Sequence, residues 1–309
     1  MTAERQIPRL AAIGDEAGDE LAAQLTALAR LDWDAIELRT IDGRPLHELD
    51  ASKLHAVAAR LVDHGTTVCC LDSNIGAWGR SVTTSLSLDI DELERLELSA
   101  SVLGCRWVRV MSWQNAELSQ QQWREEAFAR MRALTQRAEH LGLVLLHENC
   151  AGWGGQSAVT MQELVEAVDS PSFALLLDVG NCVVYGQDPI AFTDAVVGST
   201  FHVHVKDVVH DGDGVRFVHP GRGHAHVADC LRILHARGYA GGLSLEPHLL
   251  ASPHLGTNAG RPSHKAMNDF LVCGHALEQL ARAAWDHSAG QLENSRAVTH
   301  NPLTTERSH

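Results

Sequence analysis

Four side chains in this 309-residue sequence stand where a short apolar run stops, and all four are metal donors. Val-Leu-Leu-His-Glu-Asn leads to Glu148, and Leu-Leu-Leu-Asp-Val-Gly-Asn to Asp178. Phe-His-Val-His-Val-Lys-Asp carries His204, and Leu-Ser-Leu-Glu-Pro-His leads to Glu246. Three carboxylates and one imidazole make a hard, anionic donor set. Such a set suits Mn²⁺ first, with Mg²⁺ and Co²⁺ close behind, better than a thiolate-preferring ion; Zn²⁺ stays open because the affinity order favours it. A lone acid at the end of an apolar run is as readily a cap as a ligand. One donor on each of four successive runs is a more specific pattern. The competing reading is a set of structural acids salt-bridged to Lys206 and to arginines.

Something must hold those four ends together. Short leucine-rich or β-branched runs at Leu10–Ile13, Ala35–Arg39, Thr67–Leu71, Trp107–Met111, Leu143–His147, Phe173–Leu177, His202–Lys206 and Gly242–Leu245 read as strands. Helical spacing fills the gaps between them: Leu21, Leu25 and Leu28; Leu54, Val57 and Leu61; Leu93 to Val102; Glu117–His140; a helix from Met161 capped by Thr160 with Glu163 at N3; then Pro189–Val196, Val227–Arg237 and Lys265–Ala283. This alternation predicts an α/β protein built as a single-domain (β/α)8 barrel over residues 1–286. Leu249–Ser263 reads as a long loop, and 287–309 as a disordered tail. An open doubly wound sheet is the competitor, but the first run lacks the glycine spacing of a dinucleotide fold. Parity supports the barrel. Along the seventh run His202, His204 and Lys206 share one face and Val203 and Val205 the other, so the polar set points inward while the valines meet helices. A polar interior row is costly unless a charge sits there.

Bulk properties narrow the function. A net charge of −14 argues against a nucleic-acid surface. Seven scattered cysteines make no disulfide framework, there is no run of about 18 apolar residues for a membrane span, and MTAERQIPRL has no signal-peptide core. The expectation is a cytoplasmic enzyme with a small-molecule substrate and neither nucleic acid nor membrane as partner.

The HEN of the fifth run, LDVGN followed by Gly-Gln-Asp-Pro, HVHVKD, Pro-Gly-Arg-Gly-His and GYAGGLSLEPH together resemble the xylose-isomerase-like superfamily of TIM barrels, in particular the sugar phosphate isomerase/epimerase group that includes ketose 3-epimerases. The likeness is close over the last four strands; the first half matches only by alternation. Position by position, it implies that Glu148, Asp178, His204 and Glu246 bind one divalent metal ion and that Glu148 and Glu246 are the acid–base pair. It implies a homo-oligomer, dimer or tetramer. One departure stands out: many relatives carry a histidine where this chain has Asn181, which can donate a hydrogen bond but cannot titrate.

The chemistry implied is removal of the proton next to a carbonyl, through an enediolate, giving an epimerase or isomerase of a ketose, sugar phosphate or related polyol. A lyase or dehydratase would use the same logic and expel a β-hydroxyl. A DNA-repair endonuclease shares the barrel but wants extra histidines on the early strands and a basic face. Substrate contacts are expected from Asn181, Lys206, Trp113, Glu37, Arg39 and His248. Glu37 and Arg39 share a face and either pair with each other or meet substrate hydroxyls. Lys206 either neutralises a substrate oxygen or forms a structural salt bridge. Trp113 either packs on a sugar or anchors a loop. Asn149 is expected to orient Glu148 or a hydroxyl, Trp153 to lie in a mobile flap, and Arg222 to sit in a turn that can meet a phosphate.

Overall fold

In the computed structural model, which describes residues 7–212, 214–249 and 263–286, eight parallel strands run β1 Leu10–Ala12, β2 Ala35–Leu38, β3 Thr67–Asp72, β4 Trp107–Ser112, β5 Val144–Gly152, β6 Phe173–Asp178, β7 Thr200–Val205 and β8 Gly242–Leu245. Neighbours in sequence are neighbours in the sheet. β8 pairs with β1, and a parallel bridge from Ile13 to Glu37 links β1 to β2, so the sheet closes on itself as a (β/α)8 barrel. Helices α1 Leu21–Leu31, α2 Ala51–Asp63, α3 Leu86–Leu103, α4 Gln120–Leu141, α5 Ala158–Val168, α6 Pro189–Val196, α7 Val227–Ala236 and α8 Ser263–Trp285 follow the strands.

Strand alternation makes two cores. Leu145, Leu175, Leu177, Val203, Val205, Leu243 and Leu245 turn outward and are sealed by the helices. Cys70, Val144, Leu146 and Leu176 form a smaller cluster inside the barrel. That inner plug is apolar; above it Glu37, Arg109, Glu148, Asp178, His204 and Glu246 bring polar groups into the barrel.

Several local expectations are corrected. Helix α5 starts at Ala158, not Met161: Ser157 is its N-cap and Thr160 is the reciprocating N3 residue of the capping box. After β7 the chain forms an antiparallel ribbon, Asp207–Asp211 with Gly214–Val218, that alternation alone did not reveal. The Trp153 segment is no flap. Trp153 is buried edge-on against Phe128, and a Cβ on Gly155 would lie 1.9 Å from the Cys150 carbonyl oxygen, so this turn is packed tight. The expected loop and tail, for residues 250–262 and 287–309, lie outside the described residues. No described helix is long and apolar enough to cross a membrane.

Candidate metal centre

β5, β6, β7 and β8 deliver Glu148, Asp178, His204 and Glu246 to one buried point, where one donor atom from each lies within 4.8 Å of all the others. His204 Nε2 is 2.9 Å from Oε1 of the fully buried Glu37, and donates to it. The opposite nitrogen, Nδ1, is buried without a hydrogen-bond partner, 3.5 Å from Glu246 Oε2 and 3.8 Å from Glu148 Oε1. A carboxylate behind an imidazole whose other nitrogen faces a cluster of acids is the arrangement that orients histidine ligands toward a metal. The orphaned Nδ1 and the oxygen-rich set around it fit a divalent cation.

Electrostatics agree. Burial alone would raise the carboxyl of Glu148, but the nearby imidazole of His204 and the charge of Arg109 bring it down to about 2. Burial likewise opposes ionisation of Glu246, and Lys206, His248 and His204 hold it well below the usual range. Burial dominates at Asp178, which is pushed up to about 6 against the pull of Lys206. Burial disfavours His204 charging, yet Glu37 and the two glutamates outweigh it and raise the imidazole well above its ordinary value. Without a bound cation, His204 and Lys206 therefore carry the compensating charge.

The two glutamates are held alike. Glu148 turns Oε1 toward His204 and Asn181, whose Nδ2 donates to it at 3.0 Å, while Arg109 donates to Oε2 at 3.1 Å. Glu246 turns Oε2 toward His204 and Lys206 (2.8 Å), while Arg39 donates to Oε1 at 3.2 Å. Each carboxylate thus offers one oxygen to the cluster and rests the other on a guanidinium. Above them opens a cavity of ≈ 350 Å³, walled by Arg39, Asn74, Trp78, Arg109, Lys206 and His248.

Other expected residues fall variously. Arg39, Lys206 and His248 line this cavity. Lys206 is only 1% exposed and its ammonium sits between Asp178 and Glu246, the salt-bridge arrangement among its two readings. His248 Nδ1 meets Glu16 at 3.0 Å, and its Nε2 lies 3.3 Å from Glu246. Asn181 leaves its buried Oδ1 without a hydrogen-bond partner beside Glu148. Glu37 and Arg39 do not pair with each other: Arg39 holds Asp15, Glu16 and Glu246, and Glu37 bridges His202 and His204 beneath the cluster, off the cavity wall. Trp113 is corrected too. It is fully buried, its Nε1 donates to Asp89 at 2.8 Å, and its carbonyl accepts from Trp123, so it anchors a loop. Asn149 clamps the backbone of Asp178, donating to its carbonyl at 2.9 Å and accepting from its N–H at 2.6 Å. Arg222 is exposed, and the N–H groups of Gly221, Gly223 and Ala225 beside it are already claimed by the Asp207 carboxylate, leaving that turn no free nest for a phosphate.

Arg109 escaped the sequence reading, although a charged residue in Trp-Val-Arg-Val-Met, in phase with the inward positions, was its signal. Trp78, on the loop after β3, gave none.

Residues 25–262 match the family described as xylose isomerase-like TIM barrel. Inosose dehydratase from Lacticaseibacillus casei is 29% identical over 75 residues, which cover 24% of this chain and 25% of that enzyme. The match thus spans about a quarter of the relative's length. The structure of L-ribulose 3-epimerase superposes with a TM-score of 0.70 at 18% identity, covering 96% of this chain and all of that one. A structure of IOLI protein with a bound zinc atom gives 0.71 at 17% identity, over 89% and 99% of the two chains. At such identities these two structures share the fold.

Proposed function

The chain belongs to the xylose isomerase-like TIM-barrel family, and on that premise we propose that it is a divalent-metal-dependent epimerase or isomerase of a ketose, sugar phosphate or related polyol ketone. One observation carries the reading: Glu148 and Glu246 each point one oxygen at the cluster and have the other fixed by a guanidinium at the cavity wall. Glu148, Asp178, His204 and Glu246 would hold the cation, with Mn²⁺ the first choice on donor hardness and Zn²⁺ the alternative that the zinc-bound neighbour supports. A cation there supplies Lewis acidity to a carbonyl oxygen and makes the adjacent C–H more acidic.

The protein's own residues do the rest. Both glutamates stay ionised at neutral pH because their carboxyls are held low, so either is ready to accept a proton. Arg39 and Arg109 fix the angle of each carboxylate, so the base does not have to reorganise as charge moves to the substrate. One glutamate takes the proton; the other, having first drawn a proton from solvent, delivers it to the same carbon from its own side, the carbon inverts, and the first glutamate releases its proton to solvent. A single glutamate carrying the proton to the next carbon gives isomerisation instead. The unpartnered Asn181 Oδ1 beside Glu148 is placed to accept from a substrate hydroxyl, and the His248 ring lines the cavity beside Glu246.

A second reading, dehydration, is favoured by the local similarity to inosose dehydratase and by Lys206, whose ammonium is held protonated by Asp178 and Glu246 despite burial. That ammonium can donate a hydrogen bond to a departing β-hydroxyl.

Proton NMR in D₂O decides between them. The protein is loaded in turn with Mn²⁺ (read after removing the protein), Mg²⁺, Co²⁺ or Zn²⁺ and given ketoses, ketose phosphates and cyclic polyol ketones. Deuterium is expected next to the carbonyl, and falls by roughly 10²–10⁴-fold in Glu246→Gln. An intact skeleton with an inverted carbon marks the epimerase; loss of water marks the dehydratase. Exchange that persists in both Glu148→Gln and Glu246→Gln refutes the acid–base assignment.

A further inference from the structure

A second cavity, of ≈ 720 Å³, opens at the opposite end of the barrel, where the strands begin. Two β-bulges shape it. The pairing of β2 with β3 skips Cys69, and that of β6 with β7 skips Phe201, so each strand carries one extra residue at this rim. The bulged Phe201 stacks on Trp107 with ring centroids 3.6 Å apart, giving the cavity one flat aromatic wall. Ala11 and Ala35, buried and small, leave the space open from the other side.

The polar groups are few and placed at the two ends. At the rim the Arg106 guanidinium lies 4.9 Å over the Trp107 ring, and among the described residues no carboxylate pairs with it. Arg9 also lines the cavity and is bound to the exposed Asp34. At the floor is His202, 2% exposed. Its Nε2 is shared by Glu37 (3.1 Å) and Ser244 (2.8 Å), while its Nδ1 edge faces Gly242, where a Cβ would come within 3.3 Å of Nδ1. Glycine there keeps the edge of the imidazole open to the cavity.

We propose that this lower cavity is a second small-molecule site, separate from the metal centre, for an aromatic carboxylate. The ring lies along Trp107 and Phe201, the carboxylate meets Arg106, and a polar substituent at the far end reaches His202. A planar body matches the stacked wall, and an anionic head suits the Arg106 guanidinium, which has no carboxylate partner among the described residues. The site is also connected. His202 and His204 share the two oxygens of Glu37, so a ligand that moves the His202 ring acts on the residue orienting a candidate metal ligand.

The test uses 2-naphthoate as probe, titrated into the full chain by calorimetry. One site per chain is expected, with affinity reduced tenfold or more in Arg106→Glu and in Ala11→Phe, which fills the cavity; Ala35→Leu serves if Ala11→Phe fails to fold. The neutral 2-naphthalenemethanol should bind more weakly than the acid. Absence of binding at millimolar probe, or equal affinity in wild type and both folded variants, overturns the proposal.

Discussion

Replacing Glu37 by glutamine tests the geometry on which the candidate metal centre depends. Glu37 is fully buried and both of its oxygens are engaged, Oε1 with His204 at 2.9 Å and Oε2 with His202 at 3.1 Å. Glutamine has the same shape but one acceptor and one donor. Its NH₂ must therefore face one of the two Nε2 atoms. If it faces His204, that nitrogen has to become the acceptor and the ring proton moves to Nδ1, the atom that looks into the acids. If the oxygen stays on His204, the ring keeps its tautomer but loses an anionic partner that raises its basicity. Partners of this kind are worth about 10–100-fold in metal affinity, or about 1.4–2.7 kcal/mol. Zn²⁺ and Mn²⁺ affinities of wild type and Glu37→Gln, measured by competition with a chromophoric chelator, should differ by that factor. A correctly folded Glu37→Gln that binds both ions within about twofold of wild type would refute the argument, because Glu37 would then be merely a buried acid.

Four further outcomes follow from the same contacts. Because His204 is charged in the metal-free protein, each cation bound at neutral pH should release about one proton, seen by calorimetry in two buffers of different ionisation enthalpy, and affinity should fall as pH falls. The same raised pKa contributes stability to the metal-free protein that is fully present below the unfolded imidazole value near 6.5 and is lost as pH rises through the folded one, which metal-free urea melts against pH will show. Arg109→Met leaves Glu148 and Asp72 buried without their shared guanidinium and should cost about 3–5 kcal/mol in urea unfolding; a loss under about 1 kcal/mol would mean that the acids simply take up protons. Gly180→Ala places a Cβ 2.3 Å from Lys206 Cγ, so the lysine must leave Asp178 or the short helix Val179–Val184 must shift; about 1–3 kcal/mol of stability should go, and an unchanged melting temperature would show that this helix yields freely.

The sequence was enough for the architecture and for the convergence of the four candidate donors, because both follow from local pattern. An inward strand position is every second residue, so His204 in Phe-His-Val-His-Val-Lys and Glu246 in Leu-Ser-Leu-Glu declare their face without any knowledge of partners. Sequential strand order then puts β5 to β8 side by side, and donors at the ends of neighbouring strands converge. His147, one residue before Glu148, shows the same rule in reverse: it faces the helices, and burial drives its imidazole down to about 4. What lay beyond the sequence were contacts across the barrel. Glu37 reaches His202 and His204 from β2, 165 and 167 residues away, and Arg39 reaches Glu246 across 207. Trp113 and Trp78 differ in the same way: each follows a strand as an aromatic in a loop, but the left-handed turn at Trp113 sends its ring down to Asp89, while Trp78 stays at the cavity. Periodicity fixes which face a side chain takes. Which partner it meets there depends on how the barrel closes and how its loops turn, and these are properties of the whole fold.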